Sequence, residues 1–294
     1  MQVNSRWNAP TGPLGRLTAA ADGRAQALES SVASLRERAL ARDLPPSFAA
    51  ALRAGTTVSV IAELKRRSPS KGTLNAGLEA AGRASLYAEC GARALSILTE
   101  PEEFGGSTQD LLDVSRRVSV PLLKKDFHVA ESQVWEARAN GASAILFIAR
   151  ALPPDRLPVL VRAARAAGLD ALVEIRTDEE LARAVDTEAA AIGVNARDLE
   201  TLEIEPWVTE RLIPKIPSDR VRIAESGMSN AADVERVASF GADAVLIGSA
   251  LSSSADPRAT LAALCAVPRL ARGRAGGRAG GRADGPAHGP AHAP

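Results

Sequence analysis

Cysteine is nearly absent from this chain: Cys90 and Cys265 are the two in 294 residues. They lie far apart and carry no metal-ligand spacing, so a disulfide framework and a Cys-based metal site are both excluded. Each reads as a buried small apolar side chain in a reducing compartment. Aromatics make up only 3% of the chain, against abundant Ala and Arg, a bias we read as genomic rather than functional. Neither sign of charge dominates: 36 Lys and Arg face 35 Asp and Glu, for a net +1. Nothing global therefore calls for nucleic acid or an anionic membrane as partner. No apolar run approaches the roughly 18 residues of a membrane span. The first six residues lack the apolar core of a signal peptide. The expectation is a soluble cytoplasmic protein. No Gly-x-Gly-x-x-Gly follows a strand-like run, which counts against a dinucleotide fold.

What is present alternates. Residues 1–15 hold Pro10, Gly12, Pro13 and Gly15 and read as irregular. Residues 16–41 favour helix through Ala, Leu, Glu and Arg, and Pro45-Pro46 ends that stretch. A second helical piece covers 47–53. Strand-like runs then fall at 58–65, 94–99, 121–125, 144–148, 171–175, 190–195, 220–225 and 244–247. Helical stretches lie at 78–90, 107–118, 131–140, 154–167, 178–185, 206–213, 230–240 and 256–265. Gly91-Ala92, Gly141-Ala142 and Gly241-Ala242 precede strands as helix C-caps do. The strands are continuously apolar rather than alternating, as expected of a parallel sheet covered on both faces. Eight such units predict an α/β fold, a (β/α)8 TIM barrel, with a doubly wound sheet as competitor. The expected organisation is an N-terminal helical extension at 1–54, a catalytic barrel at 55–270 and a tail at 271–294. The tail repeats Gly-Arg-Ala-Gly and Gly-Pro-Ala-His with almost no bulky apolar residue. It is expected to be disordered and solvated, despite its arginines, His288 and His292.

The barrel is favoured by where the polar residues fall. Glu63, Lys65, Lys125, Glu174, Asn195, Glu225 and Ser249 each lie at or near the C-terminal end of a strand-like run. In a barrel those ends converge on one mouth. Glu63 and Lys65, two apart, share a strand face, and burying both is costly unless they are paired or used. A strand-end ion pair is the plainer reading of these two. Lys124 and Lys125 must face opposite sides, one the interior and one the helix layer. Two amines in one mouth should each lower the pKa of the other and attract an anion. Glu174, in Leu172-Val173-Glu174-Ile175, needs a raised pKa or a lysine partner. Asn195 and Arg197 suit a polar ligand, although Arg197-Asp198 also reads as a local surface pair. Glu225-Ser226-Gly227 and Gly248-Ser249 place backbone N–H groups and hydroxyls after the seventh and eighth strands, where barrels often bind phosphate.

These stretches resemble indole-3-glycerol-phosphate synthase of tryptophan biosynthesis. The matching pieces are Ile61 to Gly72 (IAELKRRSPSKG), Leu98-Thr99-Glu100 with Phe104-Gly105-Gly106-Ser107, Lys125-Asp126-Phe127 and Glu174. They continue with Gly193 to Leu199 (GVNARDL), Ala224-Glu225-Ser226-Gly227 and Ile247-Gly248-Ser249. The resemblance runs over about residues 45–265, in order and at barrel spacing. It implies conversion of 1-(2-carboxyphenylamino)-1-deoxyribulose 5-phosphate to indole-3-glycerol phosphate with loss of carbon dioxide and water. It implies a carboxy-lyase with no metal and no organic cofactor, usually a monomer. By resemblance Lys125 and Lys65 are candidate acids and Glu174 their partner or base, while Glu63 and Glu225 orient them. Asn195 and Ser226 contact substrate, and Ser68 sits near its carboxylate. Phe104 and Phe127 belong to the substrate-binding set. Arg197, Ser226, Gly227, Gly248 and Ser249 match the phosphate side.

The chain departs from the family at Thr73 to Ala80, which lacks the usual acidic-aromatic stretch, and at Ala196, where a polar residue is usual. Phosphoribosylanthranilate isomerase would need a Cys and an Asp at strand ends, and neither cysteine is there. The tryptophan synthase α subunit would lack the lysine pair. A non-catalytic ligand-binding barrel would be marked by loss of Lys125 or Glu174, and both are present. No second barrel pattern follows, which argues against a bifunctional fusion. A paralogue serving a secondary indole pathway would carry the same residues.

Overall fold

The computed structural model describes residues 7–270. The expected disordered tail at 271–294 and the first six residues lie outside the described residues. Eight parallel strands close into a barrel: β1 Ser59–Leu64, β2 Ala94–Leu98, β3 Leu122–Lys125, β4 Ala144–Ile148, β5 Asp170–Ile175, β6 Ala191–Asn195, β7 Val221–Glu225 and β8 Ala244–Ile247. Each pairs with its sequence neighbours, and β8 closes on β1 with Ser59 beside Ala244. The α/β TIM barrel read from the sequence is the observed fold, and the open sheet is not.

Three helices precede β1: α1 Pro13–Leu28, α2 Val32–Leu40 and α3 Phe48–Arg53. The irregular stretch expected to Gly15 ends three residues sooner, at Gly12, because Pro13 suits the first turn of a helix. The single helix expected over 16–41 is broken by a 3-10 turn at Glu29–Ser31. Around the barrel follow α4 Ala80–Glu89, α5 Thr108–Ser115, α6 Glu131–Ala139, α7 Arg156–Ala166, α8 Asp178–Val185, α9 Trp207–Leu212 and α10 Ala231–Ser239. A four-residue helix, α11 Ser249–Ser252, precedes α12 Pro257–Cys265. It was not legible in the sequence. Nor was the ribbon of Arg67–Ser68 against Gly72–Thr73 in the loop after β1.

Local chemistry sets these boundaries. Ser107, Thr177, Asn230 and Asp256 cap their helices by accepting a backbone N–H three residues on. At Gly91 (φ +96°) the chain leaves α4 in the left-handed region. Ala92 N–H then reaches back to Tyr87 O at 3.1 Å and Gly91 N–H to Ala88 O at 3.1 Å, closing the helix. One apolar layer lies between strands and helices. A second fills the barrel, where Ile61, Leu123, Leu146, Leu172 and Ile223 meet Leu14, Leu17, Phe48 and Leu52 of the N-terminal helices. The extension thus reaches both ends of the barrel. Ser47 and the Ala49 N–H bond Asp170, the first residue of β5, while Pro13 and Leu17 of α1 border the opposite mouth. Among the described residues no helix is long and apolar enough to cross a membrane.

Candidate active site

The C-terminal mouth holds a cavity of about 410 Å³. Every site residue named from the sequence lines it: Glu63, Lys65, Ser68, Phe104, Lys125, Phe127, Glu174, Asn195, Arg197, Glu225, Ser226, Gly227, Gly248 and Ser249. They come from the ends of different strands, which parallel pairing brings to one rim.

Lys125, the last residue of β3, sits among carboxylates. Its Nζ is 3.2 Å from Glu174 Oε2 and 3.6 Å from Glu225 Oε2. Burial works against its charge, but the carboxylates of Glu174, Glu225 and Glu63 outweigh burial and raise its pKa above the ordinary lysine value. The expectation that Lys65 would lower Lys125 is therefore overturned: three carboxylates dominate the second amine. Lys65 has its own partner, with Nζ 2.5 Å from Glu63 Oε1. Asn195 Nδ2 donates to Glu174 Oε1 at 3.0 Å and fixes that carboxylate from the side away from Lys125. Burial, then the neighbouring Glu174, push Glu225 up to about 8, with Lys125 pulling the other way. Glu225 therefore keeps its proton to a higher pH than a free glutamate does.

Two glycines make room for these acids, a role the sequence did not reveal. A Cβ on Gly193 of β6 would collide with Glu225 Oε1, and one on Gly248 with Glu63 Oε1. Among the described residues Glu225 Oε1 and the buried Ser68 Oγ have no hydrogen-bond partner, so each can meet a ligand hydroxyl or carboxylate.

Arg197 forms no pair with Asp198, so the alternative reading of a local surface pair does not hold. Asp198 faces Arg176 at 3.3 Å and accepts the Glu200 N–H. Arg197 donates to Leu202 O at 2.7 Å and is in no ion pair among the described residues. Its guanidinium is thus a cation left for a ligand. The loop after β7 turns through Ser226 (φ +66°) and Gly227 (φ +76°), and α11 starts directly after Gly248.

Lys124 takes the other face, as strand geometry requires. It is buried in the helix layer with Nζ 2.5 Å from Glu136 of α6. Sequence reasoning missed the groups that shape the rim. Glu100 accepts the N–H groups of Glu102, Glu103 and Phe104. The apolar side chains of Leu98, Leu146, Ile148 and Leu199 also line the cavity. Leu98, Glu100 and Leu199 stand in the matching motifs without being singled out as site residues, and only the barrel's closure shows that they border the cavity.

The fold and the site define a class first: a (β/α)8-barrel enzyme whose mouth is built for proton transfer between amines and carboxylates. The comparisons then give the family. Residues 18–264 match the model of the indole-3-glycerol phosphate synthase family, and the chain belongs to that family. It is 45% identical over 247 residues to indole-3-glycerol phosphate synthase 1 of Streptomyces coelicolor, covering 83% of this chain and 91% of that one. It is 49% identical over 227 residues to indole-3-glycerol phosphate synthase of Opitutus terrae, covering 75% and 85%. Among solved structures, 3-hexulose-6-phosphate synthase from Salmonella typhimurium superposes with a TM-score of 0.58 at 14% identity, over 70% of this chain and 96% of that one. That likeness speaks for the barrel alone.

Proposed function

We propose that this chain closes the ring of 1-(2-carboxyphenylamino)-1-deoxyribulose 5-phosphate to give indole-3-glycerol phosphate, carbon dioxide and water. The observation that carries the reading is Lys125 held between Glu174 and Glu225, with the Lys65–Glu63 pair on the same cavity. The aromatic carbon bearing the carboxylate attacks the ketone carbon, and the carbonyl oxygen takes a proton from a lysine ammonium. The raised pKa of Lys125 keeps that proton in place until the oxygen becomes basic. Loss of carbon dioxide returns the bonding pair to the ring and restores aromaticity. Elimination of water then needs an acid for the leaving hydroxyl and a base for the departing ring proton. Lys125 and Lys65 supply the acids and Glu174 the base, with Asn195 fixing Glu174. Glu63 and Glu225 hold the amines and the substrate hydroxyls.

The substrate's two anionic ends match the two sides of the mouth. Arg197 and the N–H groups of Ser226-Gly227 and Gly248-Ser249 receive the phosphate. Phe104, Phe127 and Ser68 receive the benzoate half. The partner is a small phosphorylated molecule, and the near balance of 36 basic and 35 acidic residues supports it over nucleic acid. We place the enzyme in the cytoplasm as a monomer, a placement supported by the unpaired thiols of Cys90 and Cys265 and by the family.

The test is to mix the purified protein with this substrate and follow indole fluorescence. Wild type should form product, and Lys125→Ala and Glu174→Gln should each lose about 10²- to 10⁴-fold in kcat, the range for a lost acid or base. A folded wild type that binds the compound and forms no indole-3-glycerol phosphate would make this a ligand-binding barrel instead.

A further inference from the structure

Arg24 lies in α1, one helical turn beyond the buried Ala21 and two beyond Leu17, which borders the cavity. That spacing puts all three on one face. The guanidinium spans two acids. Nη2 is 2.8 Å from Asp126 Oδ1 and Nη1 is 3.9 Å from Glu100 Oε1. Asp126 and Glu100 are 5% and 0% exposed, so neither can turn to water for its charge.

Each acid organises the loop that carries one cavity aromatic. Asp126 Oδ1 also accepts the Phe127 N–H at 2.8 Å, and Oδ2 accepts Thr99 Oγ1 at 2.6 Å, which ties the end of β3 to the end of β2. Glu100 Oε2 accepts the Phe104 N–H at 3.0 Å. The two rings stand 6.4 Å apart at 41°. One cation thus holds the two carboxylates that hold the two backbone N–H groups of the aromatic pair. Among the described residues no hydrogen bond or ion pair joins these three charged groups to the loops after β7 and β8.

We infer that Arg24 is a positioning residue for the aromatic half of the ligand: the N-terminal extension sets the spacing of Phe104 and Phe127, and with it selectivity for an aryl group over the bare sugar phosphate. The inference rests on the function proposed above. Removing the cation leaves two buried carboxylates facing each other, and the loops separate to relieve them. The loss then falls on the aryl side, while the phosphate side keeps its contacts.

The experiment uses the full chain with Arg24→Met, which keeps an unbranched apolar stem and removes the charge, and Arg24→Lys, which keeps the charge. Steady-state kinetics give KM and kcat for the arylamino ketose phosphate. Calorimetry gives the binding of 2-aminobenzoate, for the aryl half, and of inorganic phosphate, for the other. Arg24→Met should raise KM about tenfold while kcat changes less than about threefold. Binding of 2-aminobenzoate should weaken by a similar factor and that of phosphate should hold. Arg24→Lys should recover part of the loss, since one ammonium meets one acid at a time. If Arg24→Met does not fold, Thr99→Val loosens Asp126 from the other side and should give the same aryl-selective loss. Equal weakening of both probes, or unchanged aryl binding, overturns the inference. The binding readouts need no turnover. A wild type that forms no indole-3-glycerol phosphate refutes the proposed reaction, whereas an active wild type with uniform losses in the variants refutes only the role of Arg24.

Discussion

The two ends of the barrel are built on opposite terms. At the N-terminal end, α3 lays Phe48, Ala49 and Leu52 across the strand starts, and all three are buried. The polar groups there find partners close by. Val58 N–H bonds Val267 O at 2.9 Å, and the Arg269 guanidinium covers the carbonyls of Leu52, Arg53 and Gly55. At the C-terminal end Glu63, Glu174 and Glu225 are almost as buried, yet they share one cavity with two amines. One of those acids is driven up to about 8 to relieve the crowding. Parallel strands point every C-terminus one way, so a single end can hold unfavourable electrostatics while the other holds the chain together. Stability and chemistry are separated along the barrel axis.

The largest test of that separation is Phe48→Ala. The ring is fully buried against the bottom of the barrel, so truncation should cost about 3–5 kcal/mol by lost burial and the cavity left behind. Denaturant unfolding measures it. Below the new midpoint kcat should equal that of wild type, because Phe48 does not line the mouth cavity. A fall in kcat with the fold intact would show the two ends coupled.

The stabilising half was more legible than the chemical half was in detail. Continuous apolar runs and the Gly-Ala helix ends are local signals, and they gave eight strands in order. Lys125, Glu174 and Asn195 stood out because each interrupts an apolar run at its end. The 3-10 break at Glu29–Ser31 was hidden in a stretch of good helix formers with no breaker. Arg24 could not be read, because its partner Asp126 is 102 residues away. Gly193 looked like part of a strand motif, and its use, making room for Glu225 on the neighbouring strand, exists only once β6 and β7 are side by side. The mutual effect of the lysines was misjudged because the carboxylates that outweigh it come from three other strands.

Glu225→Gln sharpens the comparison from the other end. The folded-state pKa, about 8, lies above the ordinary value of 4.5, so between those values the folded protein holds a proton the unfolded chain has lost. The stabilisation from that proton is complete below about 4.5 and is lost as pH rises through about 8. Glutamine copies the protonated acid and does not titrate. Thermal melts should therefore show wild type and variant alike near pH 5, and the variant more stable by pH 9. Its kcat should fall at every pH. A variant that is less stable at pH 9 would mean that the ionised carboxylate supports the fold, and the mouth would no longer be the strained end.

The smallest effect belongs to Ser47→Ala. Ser47 Oγ accepts the Ala50 N–H at 3.1 Å to cap α3, and donates to Asp170 Oδ2 at 3.0 Å. Asp170 keeps the Ala49 N–H at 2.9 Å, so the helix stays anchored to β5 after the hydroxyl is gone. The loss should be that of a single cap, about 1 kcal/mol, or about 2–4 °C in Tm for a chain of this size. The site is partly open to water, so the freed N–H is resolvated rather than stranded, which keeps the cost below that of Phe48→Ala. Activity is the discriminating readout. If kcat/KM stays at the wild-type value while Tm drops, α3 serves only to close the bottom of the barrel. If kcat/KM falls with it, the tie from α3 through Asp170 along β5 reaches Glu174, and the closed end also sets the geometry of the open one.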